Sequence, residues 1–125
     1  MLAARVILFV SVAIAGCSAR PSAHDLEWFG HDVTLSRSAK VLPKQGTPVE
    51  VDAKGLREIA DACLVSNLDP LDRFTKLDEL GKVEFAGGPS PATWIYGEGG
   101  IVKEGNVVVR LKHDPLRKYF GVEPD

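Results

Sequence analysis

A short apolar run at the start of the chain constrains how the rest of it can fold. Residues 6–15 read VILFVSVAIA, are interrupted only by Ser11, and follow a start that carries one positive charge, Arg5. A charged start, an apolar stretch of this length and small residues at its end are typical of a secretory signal peptide. The run is shorter than the roughly 20 apolar residues that a membrane-spanning helix needs. We therefore expect residues 1–16 to be cleaved and to take no part in the fold.

The run ends at a cysteine, Cys17, which could be a core residue, a disulfide partner of Cys63 or a site of lipid attachment. Residues 14–17 read IAGC, which resembles the lipobox of bacterial lipoproteins, an aliphatic and two small residues before an invariant cysteine. The resemblance implies that the Cys17 sulfur takes a diacylglyceryl group and that the new N-terminus is acylated after cleavage. It implies a lipid anchor in the bacterial cell envelope, and Ser18 favours the periplasmic face of the outer membrane in a Gram-negative host.

The second cysteine, Cys63, lies on the apolar stripe of a predicted helix. One face of that helix carries apolar residues at spacings of three and four, namely Leu56, Ile59, Ala60, Cys63 and Leu64. A cysteine on such a stripe behaves as a small hydrophobic side chain. We therefore expect a buried, unreactive thiol, and a Cys17–Cys63 disulfide is the least favoured interpretation of Cys17.

Composition indicates a single small domain after the signal. The 125 residues are 45% hydrophobic and 26% charged, with a formal net charge of −2, which is ordinary for a globular protein. This mildly acidic balance gives no electrostatic basis for binding nucleic acid. Residues 18–25, SARPSAHD, are small and polar, so we predict a lipidated cysteine and tether at 17–25 and a globular domain at 26–125.

The domain is predicted to be α+β, with a mostly antiparallel sheet, two central helices and a short C-terminal helix. Segments rich in β-branched and aromatic residues predict strands at about 32–42, 49–51, 82–87, 93–97 and 106–112. The central helices are predicted at 53–66, capped by Asp52, and at 69–80, with Pro70 in the first turn. A turn at 104–106 would close a hairpin. Strict strand–helix–strand alternation is missing, which favours α+β.

The histidines are the main candidates for site chemistry. Each of the three precedes an aspartate, in the pairs His24–Asp25, His31–Asp32 and His113–Asp114. Histidine with a carboxylate can bind zinc or orient a general base. The most plausible metal ligands are His31 and His113, if the strand ends meet. The competing interpretation is a solvated or helix-capping role for each pair, and we expect no catalytic residue and no cofactor.

Two aromatic residues are candidates for a binding surface. Trp94 and Tyr96 lie in the glycine- and proline-rich stretch 87–100, a composition typical of loops that carry function. We place the two side chains on opposite faces of their strand, so that one of them is either exposed, as a contact for a partner, or covered by the C-terminal helix. The competing interpretation is that these aromatics fill the core of the small domain.

The leading hypothesis for function is a membrane-anchored, non-catalytic binding or accessory module of the bacterial envelope. It would contact membrane lipid through acylated Cys17 and would bind an envelope protein or a cell-wall partner, as an inhibitor-like protein does. The alternative is a small metal-dependent or hydrolytic enzyme that uses the His–Asp pairs. A third hypothesis is a structural lipoprotein that joins the membrane to a larger assembly.

Overall fold

The computed structural model describes residues 20–121. Its strands are β1 Ser38–Pro43, β2 Val49–Glu50, β3 Leu68–Leu71, β4 Glu79–Ala86, β5 Ala92–Gly97, β6 Ile101–Glu104 and β7 Val107–Leu111. Its helices are α1 Ala23–Trp28, α2 His31–Thr34 and α3 Ala53–Ala62, with 3₁₀ turns at Val65–Asn67 and Arg117–Phe120. None of the helices within the described range is long and apolar enough to cross a membrane.

The strands form one antiparallel sheet in the spatial order β2-β1-β4-β5-β6-β7-β3. Strands β4 to β7 follow one another as hairpins. The chain leaves β2 at one edge of the sheet, forms α3, and enters the opposite edge as β3. The predicted α+β class with a mostly antiparallel sheet is confirmed.

The predicted strands of the last third of the chain are confirmed. Along β4, Val83 and Phe85 are buried while Lys82 and Glu84 are exposed, the alternation expected of a strand with one face against a core. The hairpin turn predicted at 104–106 joins β6 to β7, and Gly105 occupies it at φ +59°. Glycine adopts this left-handed conformation without the steric cost that a Cβ brings.

The segment 32–42 is only partly a strand. Residues 31–34 form α2, and β1 begins at Ser38, so the prediction of a strand from residue 32 is wrong in its first part. Two side chains stabilise the helical turn through backbone carbonyls: the Thr34 hydroxyl donates to the carbonyl of His31 at 2.8 Å, and the Ser36 hydroxyl to that of Asp32 at 2.6 Å.

Helix α3 begins as predicted and ends earlier. The Asp52 carboxylate accepts a hydrogen bond from the Gly55 N–H at 2.7 Å, which confirms it as the N-cap. Ile59 and Ala62 are buried against the sheet. The helix ends at Ala62 and not at residue 66, because the chain turns through a 3₁₀ segment into β3.

The second central helix, predicted at 69–80, does not form. Leu68–Leu71 is β3, which pairs with β7, and the following residues reach β4 without a helix. Pro70 is compatible with both structures, since proline is tolerated in the first turn of a helix and on the edge strand of a sheet. The C-terminal helix is present as the 3₁₀ turn Arg117–Phe120.

The core centres on Trp94, which is fully buried. Its ring stacks on Phe29, with centroids 5.4 Å apart, and meets the edge of Phe85 at 5.1 Å. The indole N–H donates to Glu104 at 2.7 Å. A second oxygen of Glu104 lies 3.4 Å from the Gly30 N–H, so this carboxylate connects the strand hairpin to the segment between α1 and α2.

Candidate functional site

The candidate site is built on a hydrogen bond between Tyr96 and Asp114. Tyr96 lies on β5, and its hydroxyl donates to Oδ2 of Asp114 at 2.5 Å. The other oxygen, Oδ1, accepts from the Leu116 N–H at 2.9 Å, so Asp114 caps the turn that follows it, as the sequence predicts. The Phe120 ring stacks on the Tyr96 ring at 4.4 Å. These contacts fasten the C-terminal segment to the middle of the sheet.

The environment of Tyr96 keeps its hydroxyl protonated. Burial raises the pKa of Tyr96 far above its usual range, and the hydrogen bond to Asp114 and the charge of that carboxylate raise it further. The positive charge of Arg117 opposes part of this shift. Tyr96 therefore acts as a fixed hydrogen-bond donor that orients Asp114.

Two surface clefts adjoin Asp114, and both are lined by His113 and Asp114. The basic cleft has a volume of about 460 Å³ and is also lined by Tyr96, Gly99, Gly100, Leu111, Lys112 and Arg117. The acidic cleft has a volume of about 380 Å³ and is also lined by Glu58, Asp61, Ala62, Asn67 and Pro115. His113 therefore borders one cleft that also contains Lys112 and Arg117 and another that contains Glu58 and Asp61.

The turn between β5 and β6 forms one wall of the basic cleft. Gly100 lies there at φ +76°, and a Cβ on it would come within 3.1 Å of the Asp114 carboxylate. Both the backbone conformation and the close approach therefore favour glycine at this position. The glycines of residues 97–100 shape a turn and not a phosphate-binding loop, since strand β6 and not a helix follows.

Two contacts to the 3₁₀ segment Val65–Asn67 position Lys112 in the basic cleft. The Lys112 ammonium donates to the carbonyl of Ser66 at 3.2 Å, and the Lys112 N–H donates to the carbonyl of Asn67 at 2.9 Å. On the acidic side, Lys118 lies 3.9 Å from Glu58. Because an ammonium has three N–H donors, Lys112 can meet a ligand while it keeps its contact with Ser66.

The predicted binding pair, Trp94 and Tyr96, is buried. Their exposed fractions are 0% and 1%, so neither side chain is exposed, and Tyr96 is instead covered by Phe120 of the C-terminal turn. The placement of the two side chains on opposite faces is wrong. Residues two apart in a strand point to the same face of the sheet, and this face packs against the helices. Tyr96 still reaches the basic cleft through its hydroxyl, whereas Trp94 serves the core.

The predicted metal pair, His31 and His113, occupies two different environments. The His31 ring packs edge-on against Trp28, with centroids 4.7 Å apart, and His113 lines the two clefts. Within residues 20–121, no group of three or more His, Cys, Asp and Glu side chains is placed to hold a metal ion.

Cys63 is a free, buried thiol, as the helical stripe predicts. Burial raises its pKa to about 12, and the charge of Glu104 adds to the effect. A thiol with so high a pKa is a poor nucleophile at neutral pH. Cys17, the predicted lipidation site, lies outside the described residues.

The residues that sequence reasoning missed are Lys112 and Arg117. They flank the His113–Asp114 pair in the stretch KHDPLRK, residues 112–118, and this local basic cluster is the signal that could have indicated a cleft.

Comparison of the chain with protein-family models, with curated proteins and with solved structures finds no match.

Proposed function

We propose that this chain is a lipid-anchored protein of the bacterial envelope, acylated at Cys17 and cleaved before it. One observation carries the proposal: the lipobox-like residues 14–17 lie directly ahead of the fold. Helix α1 begins at Ala23, with Ser22 as its N-cap, so residues 18–22 alone separate Cys17 from the first helix. Several acyl chains, each contributing about 0.8 kcal/mol per buried CH₂, anchor a protein stably, whereas one binds reversibly.

The anchor is tested by expressing the full chain with its signal and extracting it from membranes. We expect the intact mass to lack residues 1–16 and to include the acyl groups on Cys17. Cys17→Ser should abolish both the added mass and the membrane association. Cys63→Ala is the matched control, because it removes the other cysteine and should leave the lipid in place. A membrane-extracted protein of unmodified mass would contradict the proposal.

The folded domain, on this proposal, is a non-catalytic binding module held at the membrane surface, on the periplasmic face of the outer membrane in a Gram-negative host. The basic cleft supports this role because Lys112, His113 and Arg117 line it. Each oxygen of Asp114 accepts a hydrogen bond within the fold, and Lys112 and Arg117 bring two positive charges to the same cleft. This arrangement suits an anionic group such as the carboxylate of a protein or a cell-wall peptide.

The cleft is tested by titrating the protein with a short peptide that ends in a free carboxylate and with the same peptide as a C-terminal amide. We expect the acid to perturb the NMR signals of residues 112–117 and the amide to leave them unchanged. Lys112→Gln should weaken the response, and Lys76→Gln, at an exposed lysine outside the clefts, should not. Equal responses to acid and amide would refute an anion-binding cleft while leaving the lipid anchor intact.

A further inference from the structure

The outer face of α1 and α2 carries a row of exposed aromatic rings. His24, Trp28 and His31 are all exposed, and the Trp28 ring lies 6.1 Å from that of His24 and 4.7 Å from that of His31. Trp28 is 54% exposed. Tryptophan combines a large apolar ring with a polar N–H, which makes it common where apolar and aqueous phases meet.

Two further apolar side chains are exposed just after the end of α3. Leu64 is 57% and Val65 46% exposed, and they directly follow Cys63 at the end of α3. Gly30, which follows α1, packs so tightly on Cys63 that a Cβ on the glycine would come within 2.6 Å of the sulfur. This contact joins the two helix ends, so Trp28, Leu64 and Val65 border the same junction.

This junction lies next to the point where the chain enters the domain. Five residues, 18–22, connect Cys17 to α1, and the six steps from Cys17 to Ala23 span at most about 22 Å at up to 3.6 Å per residue. The six residues of α1 add about 9 Å at 1.5 Å per residue. Trp28 is therefore held within about 31 Å of the lipidated cysteine, and the headgroup layer itself is about 5–8 Å deep.

We propose that this junction face, His24, Trp28, His31, Leu64 and Val65, rests on the phospholipid headgroup layer of the membrane to which the protein is anchored. The inference rests on the proposed lipid anchor, because the short tether is what selects a membrane as the occupant. The indole of Trp28 inserts to the boundary between the headgroups and the acyl chains, together with Leu64 and Val65. The domain then has one orientation relative to the bilayer. The rings of His24 and His31 flank the indole.

The test uses the full-length, membrane-extracted protein in vesicles of phosphatidylethanolamine and phosphatidylglycerol, with and without bromine on the acyl chains. Brominated chains quench tryptophans that reach them. We expect the emission to fall in brominated vesicles and the fall to disappear in Trp28→Phe, because Trp94 is fully buried in the core. Leu64→Ser, a change at an exposed side chain, should reduce the quenching without unfolding the domain.

A second variant tests whether the orientation is fixed. Phe74 is 75% exposed and lies between β3 and β4, so Trp28→Phe combined with Phe74→Trp carries its exposed indole outside the junction face. We expect this indole to escape quenching. Equal quenching at position 74, or none at Trp28 in protein that is acylated and floats with vesicles, would overturn the inference and leave the anchor standing. Protein without acyl groups would refute the anchor, and the docking with it.

Discussion

Replacing Gly30 with alanine should destabilise the domain more than the same change at a left-handed glycine whose Cβ position is open, such as Gly105. Gly30 has φ +72°, and an added Cβ would meet the Cys63 sulfur at 2.6 Å and its Cβ at 3.0 Å. The left-handed conformation costs a non-glycine residue about 1–2 kcal/mol, and forcing a methyl into a packed core about 1–3 kcal/mol. The free energy of unfolding should therefore fall by about 2–5 kcal/mol.

The control is Gly105→Ala, which carries the conformational cost without the steric one. Gly105 has φ +59°, and a Cβ there meets nothing within 4 Å, so we expect a loss of about 1–2 kcal/mol. Urea unfolding of both variants gives the comparison from their midpoints. Adding Cys63→Ala to Gly30→Ala should restore part of the free energy of unfolding that Gly30→Ala loses, because the clash with the sulfur is removed while the contact with the Cβ of residue 63 remains. Equal losses in the two glycine variants would refute the packing argument.

Two further changes test the buried polar groups. Tyr96→Phe removes the hydrogen bond to Asp114 and should lower the free energy of unfolding by about 1.5–3 kcal/mol, the range for a hydrogen bond to a charged group. A loss below about 0.5 kcal/mol in urea unfolding would contradict the role given to Asp114. Burial raises the pKa of Cys63 from 9.0 to about 12. Between these pH values only the unfolded chain releases the thiol proton, so the contribution of Cys63 to the free energy of unfolding is fully present below pH 9 and is lost between pH 9 and 12. From pH 8 to 10 the wild type should lose about 1.4 kcal/mol more than Cys63→Ala, and parallel pH profiles of the two proteins would contradict this.

Much of the sheet could be predicted from the sequence because its strands have strong local patterns. Val83 and Phe85 alternate with charged residues, and Gly105 marks the turn of the last hairpin. Asp52 could be recognised as a helix cap because its partner, the Gly55 N–H, is three residues away. In each case the deciding interaction lies within a few residues, so one segment of sequence contains the information.

The errors occur where a distant partner decides the structure. The segment 69–80 has helical signals, yet β7 provides a strand for Leu68–Leu71 to pair with. At residues 31–34, by contrast, the stabilising contacts are local, since the hydroxyls of Thr34 and Ser36 donate to carbonyls three and four residues earlier, and the strand prediction did not take them into account. Trp94 and Tyr96 are a different case: their spacing of two already requires one face, so the prediction of opposite faces misapplied a rule that the sequence satisfied.

The candidate site lay beyond sequence reasoning because it depends on sheet register. Asp114 meets Tyr96 across eighteen residues, and this distance closes only because β6 returns along β5, with Gly97 opposite Ile101, and β7 returns along β6, with Ile101 opposite Arg110. The same pairing brings the residues after β7 beside the turn at Gly100. Asp114 is therefore both a structural and a site residue: it holds the C-terminal turn through Leu116 and faces both clefts. Since Tyr96 is part of the core, the geometry of the clefts is determined by the packing of the sheet and not by a separate flexible loop.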